Sequence, residues 1–406
     1  MSSAAIFVDT ENFDKEFINS KIYKNKTNNA EYTILNYNNL NENENKDNMK
    51  IGAYRSVIID PVSKDILCFS PPKSISLNTF QSNFPNIDTG SENIEISTII
   101  EGTMINLFYD FRISSWEIAT KGAVGGNYWY YRNSYNEDKK QFTFREMFLN
   151  TLGYESNHSL NEIQLFEDFD KNYCYSFVLQ HPDNHIVLEI KHPSLYLVSV
   201  FNILQDRKRV QYVSLLQMYS KSPFNTLNCP IQLPFIGNYD NWDDLFNSVN
   251  QNDYSYNIPP LGYMVTDTYS GIRTSITSTK YEKLKQLRGN NPNLMYQYFV
   301  LHRLNQIKEF LDNFPRYKNQ FYKFYQQSFN FITEVHNAYV SYYVKKQGKQ
   351  VTIPKNIFPH IYKLHYNVHI PSIAEGEKII ITKKVVSDWF NALEPKEKLF
   401  FINQEP

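Results

Sequence analysis

The sequence predicts an α+β protein: a mainly antiparallel sheet core followed by an all-helical C-terminal domain. Between Tyr54 and about Ile276, short runs of β-branched and aromatic residues recur between turn residues. After Thr279, apolar residues fall mostly three to four positions apart. Charge changes at the same place: from Lys280 to Lys349 there are 12 Lys or Arg against 4 Asp or Glu, a local net of +8 in a chain whose formal net charge is -1. These shifts divide the chain into an N-terminal arm and polar loop (1–50), a sheet domain (51–278) and a helical domain (279–406).

The strand candidates, in order, are YRSVIID, DILCF, TMINLFYD, SWEIAT, YCYSFVLQ, HIVLEI, SLYLVSVFNI, RVQYVSLLQM, GYMVTD and GIRTSI. Order is expected to begin in earnest at Tyr54, because Asn39 to Lys50 is polar and Asn-rich and reads as a surface loop. Helical pattern intervenes at Thr143 to Leu152 and near Asp243 to Val249. In the last third the apolar positions run Phe299, Leu301, Leu304, Ile307, Leu311, then Phe321, Tyr325, Phe329, Ile332, Tyr339 and Tyr343, a spacing that assigns most of these aromatics to a core.

At 406 residues the chain buries a sizeable core. A pI near 6.8 excludes a protein steered to nucleic acid by its overall field, so any such site is a local patch. Three cysteines, Cys68, Cys174 and Cys229, fit neither a disulfide framework nor a zinc site, and a reducing compartment follows. No apolar run reaches the roughly 18 residues of a membrane span, and MSSAAIFVDTENFDKEF lacks the order of a signal peptide. A soluble cytoplasmic protein with no membrane partner is the expectation. Tyr (31), Phe (29) and Asn are abundant and Gly (13) is scarce, which fits an AT-rich genome without defining a mechanism.

Four segments in fixed order carry more. They are EYTILNYNN with AYRSVIIDPVSKDILCFSPPKSI; IIEGTMINLFYD; SWEIATKGAVGG; and YSFVLQHPDNHIVLEIKHPSLYLVSV. Together with GYMVTD and IRTSIT, this series resembles the adenylylating core of phage-type RNA ligases, in the covalent nucleotidyltransferase superfamily. The first resembles the family's extended arm, Arg-Gly strand and hairpin ending near a lysine, with Arg55 kept and Ser56 in place of glycine. The second stands where the family has Lys-x-Asp-Gly-Ser. The third matches a strand ending in a Ser/Thr-Lys/Arg-Gly turn, and the fourth resembles the family's Phe-Glu-x-x-x-Pro-x-Asn-Arg-Ile-Val strand pair. The resemblance covers roughly residues 30 to 276, and the helical region matches no module of the family.

In that family a lysine attacks the α-phosphate to give a lysyl-nucleotide, with a metal balancing charge. The resemblance puts Ile99 at the lysine position, Val178 at one carboxylate and Leu261 at another. No catalytic residue, no cofactor and no metal are therefore expected, with ATP and Mg entering only if the chain is active. The nucleotide-binding positions it implies are Arg55, Glu101, Gly102, Lys121, Gly122 and Arg273, where Ser275 follows in the final motif. Lys121 is a phosphate contact or an ordinary turn lysine; Glu101 touches a ribose or merely ends a strand. Lys73, after Pro71-Pro72, is the alternative nucleophile. Lys283, Lys285 and Arg288 serve either RNA or packing. His181, His185 and His192 are read as surface residues, because their spacing does not share one strand face. The stretch Gly122 to Gly126 is read as a flexible turn.

The leading expectation is thus an RNA ligase-like protein with a degenerate active site that binds RNA or nucleotide, or acts as a structural component with protein partners in a larger assembly. The alternatives are an active RNA ligase or capping-type nucleotidyltransferase with an atypical lysine, and a virion or complex subunit without ligand. The composition and the phage-type core together point to a large DNA virus as the source.

Overall fold

The computed structural model describes residues 3–38, 47–87, 93–129, 142–250, 261–347 and 352–403. Of the polar loop expected over Asn39 to Lys50, residues 39–46 lie outside them, and Met49 and Lys50 open a short helix capped by Asn48. Strands β1 (Ala5–Phe7), β2 (Ile18–Lys24), β3 (Glu31–Tyr37), β4 (Val57–Ile59) and β5 (Ile66–Phe69) come first. Next come β6 (Ile94–Thr98), β7 (Thr103–Asp110), β8 (Ser115–Thr120), β9 (Ala123–Val124) and β10 (Tyr173–Gln180). The last are β11 (Ser194–Ile203), β12 (Arg209–Val213), β13 (Ile231–Gln232), β14 (Gly262–Asp267) and β15 (Arg273–Thr277). Helices among them are α1 (Met49–Gly52), α2 (Leu77–Asn83), α3 (Phe144–Thr151), α4 (Leu215–Tyr219) and α5 (Trp242–Asn250). From α6 (Thr279–Arg288) onward the structure is helical: α7 (Leu294–Arg303), α8 (Ile307–Asn313), α9 (Lys318–Tyr339), α10 (Phe358–Leu364), α11 (Ile370–Ala374), α12 (Lys383–Ala392) and α13 (Pro395–Ile402).

The fold is α+β, with antiparallel sheets and a helical C-terminal region. The described residues form two compact units, one running to residue 285 and the other from 286 to the end. In the first, the large sheet runs β1-β12-β11-β10-β7-β8-β9, with β13 added in parallel on β11. A second sheet is β2-β3-β4-β5 and a third is β15-β14-β6. Alternation along the large sheet builds two cores. Ile105, Leu107, Trp116, Ile118, Tyr175 and Phe177 pack with Phe144, Met147 and Phe148 of α3. Phe108, Ala119, Cys174 and Phe201 pack with the second sheet. α3 starts where the sequence places it, because Thr143 and Glu146 form a capping box.

The two sheets are joined by polar groups as well as apolar ones. Asn106 of β7 donates to Ser70 Oγ at 3.1 Å and accepts from Ser176 Oγ at 2.8 Å. Ser70 in turn donates through its hydroxyl to Ser56 O at 2.9 Å. Each of these residues is buried.

Several expectations are corrected. Order begins well before Tyr54, with β1 paired to β12 and β2-β3 forming a hairpin against β4. β2 is hard to see in sequence because it is an edge strand with Lys21 and Lys24 exposed, lacking an apolar alternation. HIVLEI is not a strand: Val187 and Leu188 give their N–H groups to Glu101 Oε1 at 2.9 and 2.8 Å, and Ile190 gives its own to His185 Nδ1. A backbone donor used by a side chain is lost to a ladder. RVQYVSLLQM breaks at Ser214, whose side chain caps α4. His181 is buried, with Nε2 3.2 Å from Asn150 Oδ1 and Nδ1 accepting from Asp183 N–H. The Gly122 to Gly126 stretch contains β9, and its second half packs tightly: a Cβ at Gly125 would lie 2.3 Å from Asn25 Oδ1.

In the helical unit, α9 buries Phe321, Phe324, Phe331, Ile332 and Val335. Tyr325 and Phe329, assigned to the core by spacing, are exposed instead. His360 is buried among Phe331, Trp389 and Phe401, and among the described residues neither ring nitrogen has a hydrogen-bond partner. Burial, and secondarily Lys363, pushes its pKa from 6.5 down to about 4.

Two outcomes follow. Asn106→Leu, similar in volume but unable to bridge the two serines, is expected to destabilise the first unit by about 1–3 kcal/mol, read as a lowered urea midpoint. For His360 the folded pKa lies below the unfolded one, so the unfolded chain binds more protons between them. Its contribution is present above pH 6.5 and is lost as pH falls toward 4. Hydrogen exchange in the helical unit is expected to accelerate over that window, and His360→Phe to flatten the dependence.

Candidate functional site

One side chain fixes two parts of the first unit. Asn36, next to the end of β3, donates from its amide nitrogen to the carbonyl of Arg55 at 2.8 Å and to that of Lys121 at 2.9 Å. Arg55 precedes β4 and Lys121 follows β8, so two cations on different sheets are held beside each other. Lys73 arrives by another route. Its N–H donates to Gly52 O at 2.9 Å, and the preceding prolines stiffen the approach. Arg273, at the start of β15, donates Nε to Pro72 O at 2.8 Å and Nη2 to Pro71 O at 3.5 Å.

The four cations meet around Tyr37. Lys121 Nζ lies 4.8 Å and Lys73 Nζ 5.3 Å from the centre of its ring. Arg55 and Arg273 lie within electrostatic reach of its hydroxyl. Burial pushes the Arg273 guanidinium down to about 9, with Arg55 adding to the effect. Burial lowers Arg55 as well. The Lys121 amine is lowered by burial first, then by Arg55 and Lys73. Among the described residues, none of the four is ion-paired with a carboxylate. Positive charges gathered without a counter-charge favour an anion, and two guanidiniums with two ammoniums suit a phosphate chain.

The remaining expected positions lie on neighbouring strands. Ile99 N–H donates to Gly262 O at 2.9 Å, which brings Ile99 beside Leu261. Three residues further along, a Cβ at Gly102 would lie 2.6 Å from Val178 Cγ1 and 2.5 Å from Leu179 O. Glycine at 102 is thus required by the approach of β10. Ile99 and Val178 thus lie at the two ends of the segment 99–102, Leu261 precedes the Gly262 that pairs with Ile99, and none of the three side chains carries an oxygen or nitrogen atom. Glu101 is 5% exposed and spends Oε1 on the Val187 and Leu188 N–H groups, so it builds the wall here. Its charge also contributes, after burial, to raising the Tyr281 hydroxyl. A Cβ at Gly122 meets nothing within 4 Å, leaving open space next to Lys121.

Lys283 and Lys285 are exposed on α6, with Lys285 Nζ 3.8 Å from Glu282. Arg288 is 3% exposed, its guanidinium 5.5 Å from the Tyr317 ring centre. Among the described residues no group of three His, Cys, Asp or Glu converges on a point. No helix there is long and apolar enough to cross a membrane. Sequence reasoning missed Tyr37 and Asn36, although both stand in the segment EYTILNYNN that carries the first resemblance. Their signal is positional only, since neither residue type marks a phosphate site.

No family model matches the chain. Over 104 residues it is 28% identical to an RNA ligase of Rhodothermus phage RM378, a match spanning 26% of this chain and 22% of that protein. The likeness to an RNA ligase is confined to that stretch: the chain spans under a quarter of the relative's length, and most of both proteins is uncovered. Similar solved structures include a mutant Naegleria gruberi RNA ligase with ATP and Mn, at TM-score 0.35 and 11% identity, covering 48% of this chain and 51% of that one. The same enzyme with PPi gives 0.34 and 10%, covering 49% and 53%.

The crowding of charge gives a direct expectation. Lys73→Met removes one of the cations that lower Lys121, so the Lys121 amine is expected to titrate at higher pH in the variant. NMR of ¹³C-methylated lysines reads this shift; an unchanged Lys121 titration would show that the two amines do not share a field.

Proposed function

We propose that this chain is an RNA ligase-like nucleotidyltransferase relative that retains a phosphate-binding cluster and has lost nucleotidyl transfer, acting as an RNA- or nucleotide-binding component. The observation that carries the reading is the set Arg55, Lys73, Lys121 and Arg273 around Tyr37 without a carboxylate. A nucleoside triphosphate or an RNA end presents the complementary charge. Arg55 is suited to fork two phosphate oxygens and the lysines to follow the chain outward, while Arg273, held by the Pro71 and Pro72 carbonyls, adds positive charge from behind.

The loss of chemistry is supported by three positions. Ile99 has no nucleophilic atom, and Val178 and Leu261 have no oxygen for a divalent ion. The side chains at these positions do not fit magnesium, which takes oxygen ligands. In this reading the nucleotide site belongs to residues 51–278 with Tyr37 contributed by the segment 1–50, while 279–406 is a separate helical domain. Glu101 and Gly102 then support the site by packing, and Lys283 and Lys285 remain available to a longer RNA. The viral source, the cytoplasmic location and a place among protein partners belong to the same proposal.

A second reading has one specific observation in its favour. The Lys121 amine is lowered by burial and by two cations, as an attacking lysine needs. Both readings meet in one experiment: purified protein incubated with ATP or GTP labelled at the α-phosphate, with Mg²⁺ or Mn²⁺, then run on a denaturing gel. The expected result is no covalent label. Equilibrium binding of ATP is expected to weaken at least tenfold in the Arg55→Ala, Lys73→Ala double variant with its melting temperature preserved. An acid-labile label that disappears in Lys121→Met would overturn the proposal in favour of an active enzyme. ATP and RNA affinities unaffected by the double variant would leave the structural subunit.

A further inference from the structure

The helical unit has its own concave site. α7, α9 and α12 enclose a groove of about 470 Å³ whose lining includes Tyr325, Phe329, Lys383, Lys384, Ser387 and Asn391. Tyr325 and Phe329 are 55% and 46% exposed, and their rings stack at 6.3 Å with 29° between planes. Tyr322, one turn earlier on α9, is 60% exposed and extends the same face. An exposed aromatic series on a helix that has Phe321, Phe324 and Phe331 for its core is not needed for packing.

The charge is equally one-sided. Lys383 Nζ sits 3.6 Å from the centre of the Phe329 ring, and neither Lys383 nor Lys384 forms an ion pair among the described residues. Behind the floor is a third cation. Lys398 is 1% exposed, donates to Asn391 O at 2.8 Å and lies 6.0 and 5.9 Å from the ring centres of Phe299 and Phe390, which also line the groove. The nearby carboxylate of Glu394 is bonded by Arg303. Burial and Lys398 both keep His302, another lining residue, toward its neutral form.

We infer that this groove binds a nucleotide unit, its base stacked on the exposed Tyr325 ring of the Tyr325–Phe329 pair and its phosphate held by Lys383 and Lys384. Stacking on aromatic rings next to cations is the physical basis of single-strand binding, and the volume suits one nucleotide. Ser387 and Asn391 supply polar atoms at the rim for a base edge or a sugar. The planar aromatic surface is what separates this ligand from an acidic peptide, which would use the lysines alone. The inference rests on residues 298–391 and does not depend on the cluster around Tyr37.

The test uses the full chain and three probes: a fluorescein-labelled single-stranded oligouridylate of about 12 nucleotides, free AMP, and an abasic oligomer of equal charge. Variants are Lys383→Glu with Lys384→Glu, and Tyr325→Leu with Phe329→Leu, each checked for an unchanged melting temperature. Oligouridylate affinity is expected to fall at least tenfold in both. The lysine pair should also reduce the slope of log affinity against log salt by about 1.4, at ~0.7 per phosphate contact. A tenfold loss confined to AMP would support the same site with free nucleotide as its source. Equal binding of the abasic oligomer, or wild-type affinity for both nucleotide probes in both variants, would overturn the inference; the abasic result would favour an acidic partner. Arg55→Ala with Lys73→Ala, run in parallel, separates the two sites, because loss of ATP binding there with intact oligouridylate binding affects only the first.

Discussion

The architecture of the first unit depends on two side-chain amides. Asn106 spans the seam between the large sheet and the sheet β2-β3-β4-β5, joining Ser70 to Ser176 where an apolar core would otherwise be continuous. Asn36 then ties the carbonyls of Arg55 and Lys121, one from each side of that seam. Buried polar groups of this kind are costly when unpaired and directional when paired, so they set register in a way that methyl groups do not. Lys73 follows from Ser70 by three residues, through two prolines gripped by Arg273.

That dependence explains why an electrostatically unfavourable arrangement persists. Four cations around one tyrosine repel each other, and burial of Arg273 adds a desolvation cost. Hydrophobic burial on both faces of the large sheet supplies the compensating stability, through Phe108, Phe201 and Cys174 on one side and Phe148, Phe166 and Phe177 on the other. The charge cluster sits on a scaffold stable enough to hold it, which is the usual relation between a binding site and a core.

Much of the fold was legible because burial on both faces writes itself into sequence. TMINLFYD, SWEIAT and YCYSFVLQ are the central strands β7, β8 and β10, and their β-branched and aromatic runs admit one reading. β2 was not legible, since its neighbours are water on one edge and β3 on the other, and INSKIYK carries no core pattern. HIVLEI failed for the opposite reason: its pattern is right for a strand, but the Glu101 carboxylate, 86 residues away in sequence, takes its donors. At the site, Arg55, Lys121 and Arg273 could be picked out through the motif order, and Lys73 only as an alternative. Tyr37 was silent, because a tyrosine between two lysines is a property of three dimensions. On α9, the spacing of three to four described the helix correctly but could not say how wide the buried stripe was, which left Tyr325 and Phe329 on the wrong side.

The pairing of β1 has a consequence for how this protein is made. Ala5 is opposite Gln211, and Phe7 opposite Arg209. During synthesis the first strand has no partner until about 200 residues more have left the ribosome, a delay of roughly 10–40 s at ordinary elongation rates. β6 waits likewise for β14. The large sheet therefore cannot close from its β1 edge as the chain emerges, and a nascent chain halted before residue 209 has β11 without the strand that pairs its β12 edge, an edge that a chaperone or a second nascent chain can occupy.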